Sequence, residues 1–122
     1  MTGNSQTDGI RHVTKEQLRQ YRSTKLEICQ LERRIAELER RAAEYDVVQP
    51  LLVLYRKKLV ELIDGQLKIE SAIETLNPTE RELIRLRYID GADWTEVSAT
   101  IHYEWTQTHR IHARALNKIQ SL

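Results

Sequence analysis

Apolar residues recur every three or four positions along two long stretches that meet at Pro50, and this spacing is the signature of paired amphipathic helices. After Pro50 the repeat is Leu52, Tyr55, Leu59, Leu62, Gln66, Ile69, Ile73 and Leu76. Before it the repeat is Tyr21, Ile28, Leu31, Ile35, Leu38, Ala42 and Tyr45, with a heptad rhythm from Ile28 onward. Charges of both signs fill the other positions, as on a solvated helical surface. A proline ends one helix and suits the first turn of the next. Neither helix can bury its stripe alone, so residues 14–76 are expected to fold back as an antiparallel, coiled-coil-like helical hairpin. Gln66 is the one polar residue of the second seam, a type of position that sets register or oligomeric state. Gly65 beside it weakens the helix by up to ~1 kcal/mol.

Leu51, Val53, Leu54, Val60 and Ile63 add apolar surface beyond the seam. Two arrangements would cover it: a second copy of the chain, or packing of a monomeric hairpin on the C-terminal region. The surplus favours a homodimer. Residues 1–13 are polar and aperiodic and are expected to be a disordered tail. Thr14 is a good cap for the first helix, with Gln17 as its capping-box partner.

Asn77 to Leu122 reads as three short helices with a tight turn before the last, the layout of a helix-turn-helix module. Asn77-Pro78-Thr79-Glu80 is a strong helix start, with Asn77 as cap and Glu80 returning a bond. That helix is expected to run to about Asp90, bury Leu83, Leu86 and Ile84 or Tyr88, and stop at a left-handed Gly91. Asp93, with Glu96, caps a helix over 94–101 whose inward face is Trp94, Val97 and Ile101. After a turn at His102-Tyr103 the final helix spans about 104–121. Thr108, Ile111, Ala115 and Ile119 form its inner face, flanked by His112 and Leu116. The fold class is thus all-α: a long helical hairpin followed by a three-helix module over 77–122.

No nucleotide loop, nucleophile with an obvious base, or metal-ligand cluster of standard spacing is present, so neither an enzyme nor a cofactor or metal site is expected. His102, His109 and His112 match no zinc module and read as groove or surface histidines. The chain of 122 residues has a formal net charge of +1, so its overall field does not announce nucleic acid. The distribution is more telling: from Trp105 onward there are Arg110, Arg114 and Lys118 and no acid. A single cysteine, Cys29, excludes an intramolecular disulfide. With neither a signal peptide nor a membrane-spanning run in the sequence, a soluble, intracellular protein is expected.

The run LNPTERELIRLRYIDGADWTEVSATI resembles the opening of sigma factor region four, and YEWTQTHRIHARALNKI resembles its recognition helix. With the coiled-coil-like front half, the chain is similar to small phage-encoded, sigma-like regulators of the ArpU/RinA late-gene type. This resemblance implies a final helix lying in the major groove of double-stranded DNA. Trp105, Thr106, Gln107, His109 and Arg110 would meet base edges, where glutamine can pair with adenine and arginine with guanine. Arg87, Arg114 and Lys118 would touch phosphates, which position a module without reading sequence. Three residues depart from the family pattern. His102 stands at the usual turn glycine, implying a positive φ at a non-glycine residue. Glu104 replaces the usual Ser or Thr cap, and Thr108 replaces a core aliphatic.

Other roles compete at several positions. Trp94 reads as core, and Trp105 as either a DNA contact or a local staple. Arg87 reads as a phosphate contact or as an internal partner of Glu96.

The function implied is sequence-specific transcription regulation of phage or prophage origin, by a homodimer, with RNA polymerase as a further partner to consider. The alternatives are a DNA-packaging adaptor resembling a small terminase subunit, distinguished by a ring of eight or more chains, and a polymerase-binding interaction protein that reads no DNA.

Overall fold

The structure is a computed structural model and describes residues 13–122. Among these residues it is all-helical: α1 (Lys15–Arg19), α2 (Tyr21–Ala42), a 3-10 turn (Asp46–Val48), α3 (Gln49–Glu74), α4 (Pro78–Ile84) with a π-helical extension (Arg85–Ile89), α5 (Trp94–Ile101) and α6 (Trp105–Gln120). No described helix is long and apolar enough to cross a membrane.

Three helices start at capping boxes. Thr14 and Gln17, Asn77 and Glu80, and Asp93 and Glu96 each exchange side-chain bonds with the partner's backbone N–H, satisfying amides that a helix start leaves open. Pro50 falls in the first turn of α3, where its missing N–H costs nothing. Gly91 takes φ +75° and ends the α4 extension.

The chain parts into two compact units, residues 23–66 and residues 13–22 with 67–122. The contacts therefore do not divide at 76/77, where the hairpin was expected to hand over to the module. The reason is burial: Ile69, Ile73 and Leu76 of α3 belong to the same core as Leu83, Val97 and Ile119.

In the 23–66 unit, α2 and α3 run antiparallel and bury Leu31, Ile35 and Leu52, with Leu38, Tyr55, Leu59 and Leu62 half-buried beside them. Arg56–Glu39 (2.9 Å) and Lys58–Glu27 (3.1 Å) cross between the helices. Both pairs are half-exposed and contribute little to stability. Tyr45, expected in the first seam, is exposed instead. α2 ends at Ala42, and Tyr45 sits in extended backbone before the 3-10 turn, past the helical face it was assigned to. Val53, Leu54 and Val60 remain exposed on α3.

The other unit holds the larger core. Leu18, Ile73, Leu83, Ile84, Val97 and Ile119 are fully buried, each contributing roughly 1.5–3 kcal/mol through removal of apolar surface from water. Val13, expected as the last residue of a disordered tail, is buried in this core with Leu18. The rest of the expected tail lies outside the described residues. The first helix is also not continuous. It loosens at Gln20, where ψ falls to −5°, and resumes at Tyr21, which is buried. The Tyr21 hydroxyl donates to Glu70 of α3 at 2.6 Å. Arg85 donates to Glu70 and Glu74, tying the α4 extension to α3.

Candidate nucleic-acid interface

The backbone of α6 is set by the turn before it. His102 adopts φ 62°, ψ 41°, the left-handed conformation expected of it, and its N–H bonds to Ser98 O. The Tyr103 N–H reaches the same carbonyl at 3.2 Å. A left-handed non-glycine residue costs roughly 1–2 kcal/mol, offset here by two otherwise open amides satisfied at the end of α5. Glu104 then caps α6 in extended backbone without a side-chain bond, unlike the capping-box starts of α1, α4 and α5.

Thr108 lies fully buried on the inner face of α6. Its hydroxyl accepts from Ser98 Oγ at 2.9 Å and lies 3.4 Å from Tyr103 O. The buried oxygen is thereby satisfied, and the bond links α5 to α6 across the turn. Ser98 is the residue the sequence did not single out; its signal is a small hydroxyl on α5 matched to Thr108 on α6.

The outward face of α6 carries Thr106, Gln107, Arg110, Ala113 and Arg114, all exposed. Arg110 and Arg114 have no hydrogen bond or ion pair among the described residues, and Glu104 does not pair with Arg110. At 100° per residue, Thr106, Arg110 and Ala113 share one line, with Gln107 and Arg114 on one flank and Trp105, His109 and His112 on the other.

That second flank is aromatic. Trp105 is 56 % exposed and its ring centroid lies 4.6 Å from that of His109. His109 in turn lies 4.5 Å from Trp94, and the Arg87 guanidinium sits 4.8 Å over Trp94. A continuous tilted stack Arg87–Trp94–His109–Trp105 results, with successive rings inclined by 46° and 58°. His109, expected to project to bases, is instead half-buried between two indoles with its Nε2 buried and unpartnered. It fixes the orientation of Trp105 rather than standing free beside Arg110. For Trp105 this places the staple and the exposed ring in one residue.

His112 is buried under the same flank, edge-on to Trp94 at 4.7 Å, with Nε2 2.7 Å from the Tyr88 hydroxyl. Burial, with help from Lys15, pushes its imidazole down to about 4, so the ring is neutral near pH 7. Burial raises the Tyr88 hydroxyl above its ordinary value.

Two expected phosphate contacts are engaged elsewhere. Arg87 donates to Ala92 O at 3.1 Å and covers Trp94, and the expected pairing with Glu96 is absent among the described residues. Lys118 lies on the opposite flank of α6 and donates to both oxygens of Glu80 at 2.8 Å. Glu80 is 2 % exposed, and a buried carboxylate holds a cation strongly because it has little water to fall back on. Of the residues expected to face DNA, Trp105, Thr106, Gln107, Arg110 and Arg114 share the exposed surface of α6, whereas His109 is half-buried between indoles, Arg87 packs on Trp94 and Lys118 is paired with Glu80. Comparison of the chain with protein-family models, with curated proteins and with solved structures gives no match.

Proposed function

We propose that this protein is a sequence-specific double-stranded DNA-binding transcription regulator of phage or prophage origin, reading the major groove with α6. The observation that carries this reading is the outer face of α6, where Arg110 and Arg114 stand exposed, and unpaired among the described residues, on a helix held by its buried face. An unpaired exposed arginine keeps its planar donors for a guanine edge or a phosphate. Thr106 and Gln107 beside it supply hydroxyl and amide groups that suit base edges. The resemblance of 77–122 to sigma region four supports the same reading and brings RNA polymerase in as a candidate partner. The exposed Val53, Leu54 and Val60 of α3 support assembly with a second copy.

The test is fluorescence anisotropy on duplex fragments from around the protein's own gene, at two salt concentrations, beside Arg110→Ala. One fragment is expected to bind in preference, with affinity falling steeply as salt rises. Arg110→Ala is expected to cost about 1–3 kcal/mol on that fragment and to relax the preference. Failure of the wild type to bind any fragment at low salt overturns the reading. Sedimentation of the same sample distinguishes two chains, as a regulator requires, from the large ring of a packaging adaptor.

A further inference from the structure

α1 and the start of α2 bring three cations to the aromatic flank of α6. Lys15, Arg19, Arg22 and Arg87 line a cleft of about 320 Å³ floored by Tyr88, Trp94 and His112. No carboxylate is among the lining residues. Lys15 and Arg22 have no ion-pair partner among the described residues, and Arg19 meets only the exposed Glu16 at 3.7 Å. Four like charges around one hollow repel each other, and an anion seated among them relieves that repulsion. Burial does most to depress the basicity of His112, and the charges of Lys15 and Arg87 add to it.

These cations stand on fixed elements. Val13 and Leu18 anchor α1 in the core on either side of Lys15, and the Thr14–Gln17 box starts the helix. Arg22 lies directly over Gly91, where a Cβ would collide with the guanidinium. Gly91 thus serves twice: it tolerates φ +75° and it leaves the space that Arg22 occupies.

The position of the cleft names the anion. Trp94 and His112 belong to both the cleft and the flank of α6, and the stack from Trp94 through His109 to Trp105 leads from the cleft to the exposed first turn of α6. A helix seated in a major groove has a phosphate backbone along its flank, and a duplex carries about one charge per 1.7 Å of axis. We infer that the Lys15–Arg19–Arg22–Arg87 cleft is a phosphate-binding site for the DNA backbone beside the groove that α6 enters. The N-terminal helix is then part of the DNA-binding surface, and the inference rests on the DNA-reading function proposed above.

The experiment replaces Lys15, Arg19 and Arg22 together by glutamine and measures anisotropy against salt on preferred and unrelated duplexes, with circular dichroism to check folding. Affinity is expected to fall about 10- to 100-fold on every fragment alike, the salt slope to drop by about 2 to 3, and the preference between fragments to persist. Arg22→Gln alone, a milder change, is expected to lower the slope by about 1. Inorganic pyrophosphate, followed by tryptophan fluorescence, is expected to bind the wild type, to compete with DNA, and to lose its effect in the triple variant. An unchanged slope in both variants, with wild-type DNA binding intact, overturns the inference while leaving the DNA-reading function standing. Pyrophosphate binding that the triple variant abolishes, with the DNA slope unmoved, assigns the cleft to a free phosphate compound and equally overturns it. Absence of any wild-type DNA binding overturns the function itself.

Discussion

The two compact units have the same kind of sequence pattern and very different interiors. Both are built from helices with apolar residues every three or four positions. In residues 13–22 and 67–122, segments of six helices supply buried side chains, and the core includes Leu18, Ile73, Leu83, Val97 and Ile119 with almost no exposure. In residues 23–66 only two helices face each other, and burial reaches Leu31, Ile35 and Leu52. Val53, Leu54 and Val60 are left in water there. Two helices have one contact line between them, whereas a helix among several neighbours is covered on a wider arc. The same period therefore yields a closed core in one place and an open seam in the other. The polar groups follow suit: the first unit satisfies Thr108, Glu80 and Tyr21 by bonds between helices, and the hairpin is crossed by exposed ion pairs.

The largest expected effect widens this contrast. Leu83→Ala removes a fully buried side chain and is expected to cost about 3–5 kcal/mol, whereas Leu59→Ala in the half-buried hairpin seam is expected to cost less than about 2. Urea denaturation of both variants measures the difference, and equal costs would mean that the hairpin is as fully packed as the module, for instance by a second copy.

Next in size is the pH dependence carried by His112. Its folded value of about 4 lies below the ordinary 6.5, so the fold favours the neutral ring. The unfolded chain takes up this proton first as pH falls. The contribution is therefore complete above pH 6.5 and is lost progressively towards pH 4, by roughly 3 kcal/mol. His112→Leu is expected to flatten the stability profile between pH 6.5 and 4 relative to wild type, whatever its stability at pH 7. A parallel profile would show that the ring is not protected from protonation.

The smallest effect concerns two cations of α6, Lys118 and Arg114. Lys118→Met leaves the buried Glu80 carboxylate without its cation and is expected to cost about 1–3 kcal/mol, discounted because the ammonium is half-exposed. The salt slope of DNA binding is expected to stay unchanged, unlike that of Arg114→Ala, which should fall by about 1. A slope change in Lys118→Met without a stability change would return Lys118 to the DNA surface.

How much of this could be read from the chain depends on the range of the interaction. Capping boxes join residues three apart, so Thr14/Gln17, Asn77/Glu80 and Asp93/Glu96 were each legible, as was the stop at Gly91. The inner face of α6 was legible for the same reason, because helical period alone separates Thr108, Ile111, Ala115 and Ile119 from Thr106 and Arg110. Tyr45 marks the limit of the method: the period ran on past the point where the helix ended.

The surroundings of residues that meet a distant partner were not legible. Lys118 and Arg110 look alike in sequence as cations on one helix, and only the approach of α4 gives Lys118 a buried carboxylate. His109 looked like a reading residue until Trp94 of α5 closed over it. Val13 looked like tail because a lone apolar residue has no period to declare itself. The π-helical widening at Arg85–Ile89 has no local marker either, and it lies where Arg85 meets α3 and Tyr88 meets His112.

Local hydrogen bonding and helical period thus settled the all-α class, most helix starts and which face of α6 turns inward, because those forces act within a few residues of chain. Packing between helices settled the rest: the division into units, the stack behind Trp105, the pairing of Lys118 and the gathering of Lys15, Arg19, Arg22 and Arg87 around one cleft. A cation's role is set by what lies within a few ångströms of its charge, and for these residues that neighbour comes from a different helix.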